Sequence, residues 1–295
     1  MKFIEPQVEL WEQEPTLEGA WHQIARATRV CYQSKPREGE SSEDFVKRII
    51  LKPALIEGSL DDLEHCKFNF DKMYGAMLEH GTLYLSIPKS ELTTRDFDML
   101  WKNQFSKGFQ IATYHILDIG AYITTNVRAL LELGLLPYYL KYVTEPTKHH
   151  IKRYTFSVIT DIGVTREFNR HRTFSVAEQS TRYCDLTKDK FGGELTFIKP
   201  AWRQKDKKGF ILSFDNYDAF FADCEQTYKQ LRQQGWRPEQ ARQVLPLGLK
   251  TQAVYTAFSY DWKHFIRLRA DNVSGKVHPN MQLIAKKIKD IIENL

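Results

Sequence analysis

The sequence predicts an α/β protein, of the α+β kind, whose mixed or antiparallel central sheet is flanked by helices. Two observations carry that expectation. Stretches alternating apolar and polar residues at period two are interleaved with stretches patterned at the helical period, which puts strands and helices in one chain. The 295 residues are 42% apolar and 27% charged, enough to bury a sizeable core and unlike a disordered composition.

Residues 7–11 (Gln-Val-Glu-Leu-Trp) alternate as a short strand, and 18–33 read as a helix ending at Cys31 and Tyr32 before a polar loop. Ser42, followed by Glu43 and Asp44, starts the next helix over 45–51. A helix over 71–78 delivers Glu79-His80-Gly81 to an alternating strand, 82–87, closed by Pro88; the carboxylate and imidazole are thereby expected at a junction open to ligands. From Lys89 to His150, helical segments around 97–105 and 129–133 are broken by Gly and Pro, and the adjacent His149 and His150 read as exposed loop residues rather than metal ligands. A strand over 153–160 and a helix over 164–169 then lead into an arginine-rich segment. Beyond it come a Gly192-Gly193 turn, a strand at 195–198, a long helix over 216–234 and a shorter one from Arg237-Pro238-Glu239 to about Pro246. Residues 281–295 place Ile284, Ile288, Ile291, Ile292 and Leu295 on one stripe, the pattern of a helix packed on the core.

Composition narrows the function classes. No window approaches 18 uninterrupted apolar residues and the start, Met1-Lys2-Phe3-Ile4-Glu5-Pro6, lacks a signal-peptide pattern, so no membrane segment and a cytoplasmic location are expected. Cys31, Cys66, Cys184 and Cys224 form no CxxC pair, which predicts reduced thiols, no disulfide framework and no zinc site. The net charge of +5 suits anionic small molecules, and no nucleic-acid partner is expected. With no Walker or GxGxxG loop, side chains must hold any phosphate.

The segment from Arg170 to Tyr183 supplies such side chains. Arg170, His171, Arg172 and Arg182 bring permanent or potential cations, and Glu178, Gln179, Ser180 and Thr181 bring groups able to read imide and carbonyl edges. This ordered string resembles the signature of the flavin-dependent thymidylate synthases (the ThyX family), an Arg-His-Arg triplet separated by seven residues from a serine, here Arg170–Arg172 and Ser180. Glu79-His80 ahead of a strand, Arg242-Gln243-Val244-Leu245-Pro246-Leu247 and Leu268-Arg269-Ala270-Asp271 resemble three further family blocks. Matching residues fall in 74–86 and 151–283, so 89–150 reads as a helical insertion within a single ThyX-like catalytic domain over 1–295.

The resemblance implies FAD-dependent methylation of dUMP to dTMP, with methylenetetrahydrofolate as carbon source and NADPH as reductant, in a homotetramer with active sites between subunits. By the same resemblance, Arg170, Glu178, Gln179, Ser180, Thr181, Arg182, Arg242 and Arg269 would surround dUMP, and Arg269 would be the catalytic residue, stabilising the N3-deprotonated ring. FAD would be held by Glu79, His80, Arg170, His171, Arg172, Glu178 and His264. No cysteine lies in the Pro-Cys-His setting of the classical synthase, His65-Cys66-Lys67 being the nearest approximation, so no enzyme nucleophile is expected. The chain also departs from the family: Phe258-Ser259-Tyr260 stands where members often carry Asn-x-Arg, Tyr74 and Ala76 replace a histidine and a hydroxyl residue, and Asn272-Val273 follows Asp271 in place of Ser-His. Residues 122–131 resemble a displaced Asn-x-Arg segment, from which Asn126 and Arg128 would contribute flavin contacts; a helix start capped by Asn126 reads the same residues differently. Two other functions fit the residues: a flavoprotein modifying another pyrimidine nucleotide, and a non-catalytic nucleotide- or RNA-binding regulator.

Overall fold

A computed structural model of the chain describes residues 1–94, 96, 113–117, 120–202 and 215–295, so the helical expectation at 97–105 lies outside the described residues. The strands are β1 (Lys2–Ile4), β2 (Gln7–Leu10), β3 (Leu55–Glu57), β4 (Lys67–Phe68), β5 (Thr82–Pro88), β6 (Thr113–Leu117), β7 (Gly120–Asn126), β8 (Arg153–Asp161), β9 (Ser175–Glu178), β10 (Thr196–Ile198) and β11 (Lys250–Phe258). The principal sheet runs β2-β8-β11-β9 and is antiparallel throughout, with Asp161 opposite Lys250 at one end of its central pair and Arg153 opposite Phe258 at the other. A second antiparallel sheet runs β5-β7-β6, and β1 pairs with β10 in parallel. The expected α/β architecture with antiparallel sheets and flanking helices is therefore what the chain forms.

Helices cover the two larger sheets. The Ile162–Phe168, Ser259–Arg269 and Pro279–Glu293 helices cover β8 and β11, enclosing Phe156, Phe168, Tyr255, Trp262, Phe265 and Ile284. The second sheet packs Leu83, Leu85 and Ile123 against Trp21 and Ile24 of the Leu17–Tyr32 helix. That helix joins the two cores, because Ala27 and Val30 on another of its faces meet Ala177 and Val254 of the principal sheet. Close approach at this joint requires glycine: a Cβ on Gly81 would lie 2.6 Å from Ile24 Cδ1.

Several local expectations change. Residues 71–78 do not form one helix; 3-10 turns at Phe70–Lys72 and Gly75–His80 flank Met73 and Tyr74, and the Asn69 side chain starts the first by accepting from the Asp71 amide at 3.1 Å. Ser41, rather than Ser42, caps the Ser42–Val46 helix. The segment 89–150 contributes β6 and β7 as well as the Val127–Glu132 helix, so it is not helical alone. His150 is buried, not exposed: its Nε2 lies 3.0 Å from the Leu85 carbonyl and its ring meets Tyr84 and Tyr122 edge-on. On the C-terminal helix Ile284 and Ile288 are enclosed, whereas Leu295, beyond its end, is 63% exposed. No helix among the described residues is long and apolar enough to cross a membrane.

Candidate functional site

The arginine segment is mounted by β8, the helix that follows it and β9. Asp161 ends β8 and caps the Ile162–Phe168 helix by accepting from the Val164 amide at 2.8 Å, while Asn280 Nδ2 donates to its other oxygen at 2.8 Å. This short helix, about 10 Å long at the helical rise, leads from the Asp161 end of the sheet toward the other, and Arg170, His171 and Arg172 follow it in the turn before β9. At that other end, β11 runs into the Ser259–Arg269 helix. The two elements enclose a cleft of about 750 Å³ lined by Asn169, Arg170, His171, Arg172, Thr173 and Phe174 on one side and Asp261, His264, Leu268 and Arg269 on the other.

Five of the expected residues thus meet in one place: Arg170, His171, Arg172, His264 and Arg269. Arg170 and Arg172 are exposed and make no side-chain hydrogen bond or ion pair among the described residues. Two uncompensated guanidinia facing one cleft form an anion-binding arrangement. Arg269, by contrast, is engaged on all three nitrogens, with Nε 3.2 Å from His171 Nε2, Nη1 3.1 Å from Glu167 Oε2 and Nη2 3.5 Å from the Glu167 carbonyl. Burial, the neighbouring Arg269 charge and His264 push the His171 pKa down to about 4. His171 is therefore a neutral ring at ordinary pH.

The remaining expected residues assemble elsewhere. Glu178, Gln179, Ser180, Thr181 and Arg182 follow at the far end of β9, roughly 13 Å away at the rise of an extended strand. There the Glu178 carboxylate accepts from the Thr165 and Thr251 hydroxyls at 2.9 and 3.1 Å, and burial raises its pKa. Lys250 donates to Gln179 at 3.0 Å, Arg242 to Thr181 at 3.3 Å, and the Arg182 guanidinium lies 5.2 Å from the Tyr183 ring centre. Lys250 was not anticipated, although its place opposite Asp161, at the start of β11, puts it at this end of the sheet.

Glu79 and His80 belong to neither group. His80 is fully enclosed, with Nδ1 2.8 Å from Thr256 Oγ1, and burial followed by the Arg153 charge drives its pKa down to about 3. The expectation that it stands open to ligands is corrected by its position beneath β11. Glu79 is half-buried and paired at 2.6 Å with Arg128, which also holds Glu132 at 2.7 Å. Asn126 caps the Val127–Glu132 helix by accepting from the Ala129 amide. Both side chains of the displaced Asn-x-Arg string are thus engaged within the scaffold. At the altered segment, Phe258 and Tyr260 stack at 5.4 Å and the Arg153 guanidinium lies 5.3 Å from the Phe258 ring centre.

Asp261, Thr173 and Phe174 also line the cleft and were not anticipated. Asp261 had a readable signal, since it sits three residues before His264 on a helix and so shares its face. No cysteine lines the cleft. Cys31 and Cys184 both adjoin the second group, the Cys31 carbonyl receiving the Ser180 amide and the Cys184 amide donating to the Ser180 carbonyl, and burial pushes both thiol pKa values up, that of Cys31 to about 11.

Comparison with known proteins bears on the same segments. The chain is 32% identical over 142 residues to a flavin-dependent thymidylate synthase of Thermus thermophilus, covering 46% of this chain and 52% of that protein. It is 33% identical over 135 residues to the flavin-dependent thymidylate synthase of Pyrococcus furiosus, covering 45% and 52%. The chain therefore spans about half the length of these curated relatives. A solved structure described as the UMP/dUMP methylase PolB from Streptomyces cacaoi, bound with 5-Br dUMP, aligns over 100% of this chain and 93% of its own at 15% identity and a TM-score of 0.44. The model of the thymidylate synthase complementing protein family, Thy1, matches residues 134–295, just over half of the chain and all of the arginine segment, and the chain belongs to that family.

Proposed function

We propose that the protein is a flavin-dependent thymidylate synthase, converting dUMP to dTMP with methylenetetrahydrofolate as carbon donor and NADPH as reductant. The observation that carries this reading is a cleft with two unpaired arginines and Arg269 but no thiol. Several guanidinia offset the desolvation of a nucleotide phosphate, which carries close to two negative charges. Arg269 would stabilise the N3-deprotonated uracil and so polarise C5 and C6 without a covalent enzyme adduct. The thiols give the cleft no nucleophile, because none lines it and the Cys31 thiol stays protonated at neutral pH.

The residues present fit FAD. Arg170, His171, Arg172 and His264 line a cleft whose volume suits a large ligand and whose donors suit phosphate and ring edges, with Phe174 offering an apolar surface. When bound, the flavin would supply the hydride that a cysteine-free synthase needs. The chain's own part is to hold the ring edges, keep His171 neutral as a hydrogen-bonding group and fix Arg269. Glu79 and the second arginine group would complete the site from neighbouring copies of a homotetramer, and residues 1–295 would act as one catalytic domain with 89–150 inserted in it.

The deciding measurement is NADPH-dependent tritium release from 5-tritiated dUMP with methylenetetrahydrofolate, on protein whose absorbance spectrum reports FAD. Release supports the synthase. Binding of dUMP without release overturns it in favour of a regulator, and methyl transfer to a different pyrimidine nucleotide overturns the substrate assignment.

A further inference from the structure

We propose that Glu167 is a positioning residue for Arg269: together with His171 it clamps the guanidinium so that one N–H on each terminal nitrogen is left for a planar anionic edge in the cleft. This rests on the reading that the cleft takes a pyrimidine nucleotide.

A guanidinium has five N–H donors. Three are spent inside the chain, on His171 Nε2, Glu167 Oε2 and the Glu167 carbonyl. The two that remain sit one on each terminal nitrogen, a spacing that matches the paired oxygens of a carboxylate or phosphate, or the N⁻ and O of a deprotonated imide. Glu167 performs this from the last turn of the Ile162–Phe168 helix, and its carbonyl also receives the Arg170 amide at 3.3 Å, which ties it to the start of the arginine triplet. Its carboxylate is half-buried, as is Arg269, so the pair is shielded more than a surface contact.

The clamp also sets the chemistry of His171. Because Arg269 Nε donates to Nε2, that nitrogen must carry a lone pair, and the ring proton resides on Nδ1. Burial favours this neutral form, as do the charges that act on the ring, Arg269 and then His264. Arg269 and His264 come from the Ser259–Arg269 helix, Arg170 and Arg172 flank the ring in its own segment, and Phe174 and Phe265 supply apolar contact. The pKa near 4 agrees with the arrangement. Asp261 is the carboxylate that lines the cleft, while Glu167 reaches His171 only through Arg269.

The test uses the full chain labelled with ¹⁵N-histidine, comparing wild type with Glu167→Gln, which keeps an acceptor oxygen at the same reach, and Glu167→Ala, which removes it. Long-range proton–nitrogen spectra are expected to show His171 protonated on Nδ1 in wild type and Glu167→Gln. In Glu167→Ala that tautomer should be lost and the titration should move up toward the ordinary imidazole value as Arg269 leaves. The dUMP dissociation constant should rise on the order of tenfold in Glu167→Ala and stay within about threefold in Glu167→Gln. A helix-packing role alone would lower the melting temperature without moving the tautomer. Glu167→Ala with an unchanged His171 spectrum, or Glu167→Gln as disturbed as Glu167→Ala, overturns the proposal. If Glu167→Ala does not fold, Glu167→Asp, one methylene short of Nη1, replaces it with the same two outcomes. Should wild type fail to bind dUMP, the nucleotide reading falls while the histidine spectra still decide the clamp.

Discussion

The arginines of the cleft divide by what they already hold, and this sets what each substitution should do. Arg170 and Arg172 have no side-chain partner among the described residues, so Arg170→Ala and Arg172→Ala should change folding stability by no more than about 0.5 kcal/mol. If Arg170 grips an anionic oxygen of dUMP and Arg172 one of FAD, calorimetry should show about 1.5–3 kcal/mol of lost binding of that ligand, near ten- to hundredfold in dissociation constant. Arg269→Ala should differ by losing both, because it leaves the Glu167 carboxylate half-buried and unpaired. Histidine protonation gives a second prediction. His80 titrates at about 3 and His171 at about 4 in the folded chain, against an ordinary 6.5. Below 6.5 the unfolded chain binds protons that the folded chain refuses, so stability present above that pH is lost as pH falls toward 4 and then 3. Urea midpoints followed from pH 7 to 4.5 should fall for wild type and fall less steeply for His80→Gln; equal slopes would show that His80 does not carry the effect.

At the scale of elements, the site depends on a seven-residue helix too short to be stable by itself, so its cap matters disproportionately. Asp161 satisfies the Val164 amide and also anchors Asn280 of the C-terminal helix. Asp161→Ala should cost about 1–3 kcal/mol in a urea melt, with weakened dUMP binding because the arginine triplet loses its mount. A variant with wild-type stability would remove this helix from the account. The elements legible in the sequence are those whose own pattern decides them. The period-two runs became β2, β5, β8 and β10, and the apolar stripe through Ile284 and Ile288 became the C-terminal helix. What was missed depends on partners far along the chain. The strand-to-helix reading of 122–131 reached the end of β7, but β6 and its hairpin with β7 against β5 were not read, and β1 exists because Lys2, Phe3 and Ile4 pair with Thr196, Phe197 and Ile198. The cleft was half legible for the same reason: the arginine string and the Leu-Arg-x-Asp segment were visible, but the Arg269–Glu167 pair spans 102 residues and needed the fold to bring it together.

For the whole molecule, the two arginine groups lie apart in one chain, and the proposed homotetramer would bring them together. β9 and β11 are antiparallel, so the triplet, Asp261 and Arg269 collect at one end of the pair while Ser180, Arg182, Arg242 and Lys250 collect at the other. In the homotetramer proposed above, a single small nucleotide would touch both groups where the far end of one copy meets the near end of another, which a closed symmetric oligomer provides. Such an arrangement makes catalytic defects complementable. Arg170→Ala removes one half of a site and Arg182→Ala the other, so each protein alone has only damaged sites. When the two are mixed and subunits exchange at random, on the order of a quarter of the sites would draw both halves from undamaged copies, and tritium release should recover to about that fraction of wild type. A mixture that remains inactive while mass measurement shows exchanged subunits would place both halves of the site in one chain. A gel-filtration mass of a monomer in active protein would lead to the same conclusion by an independent route.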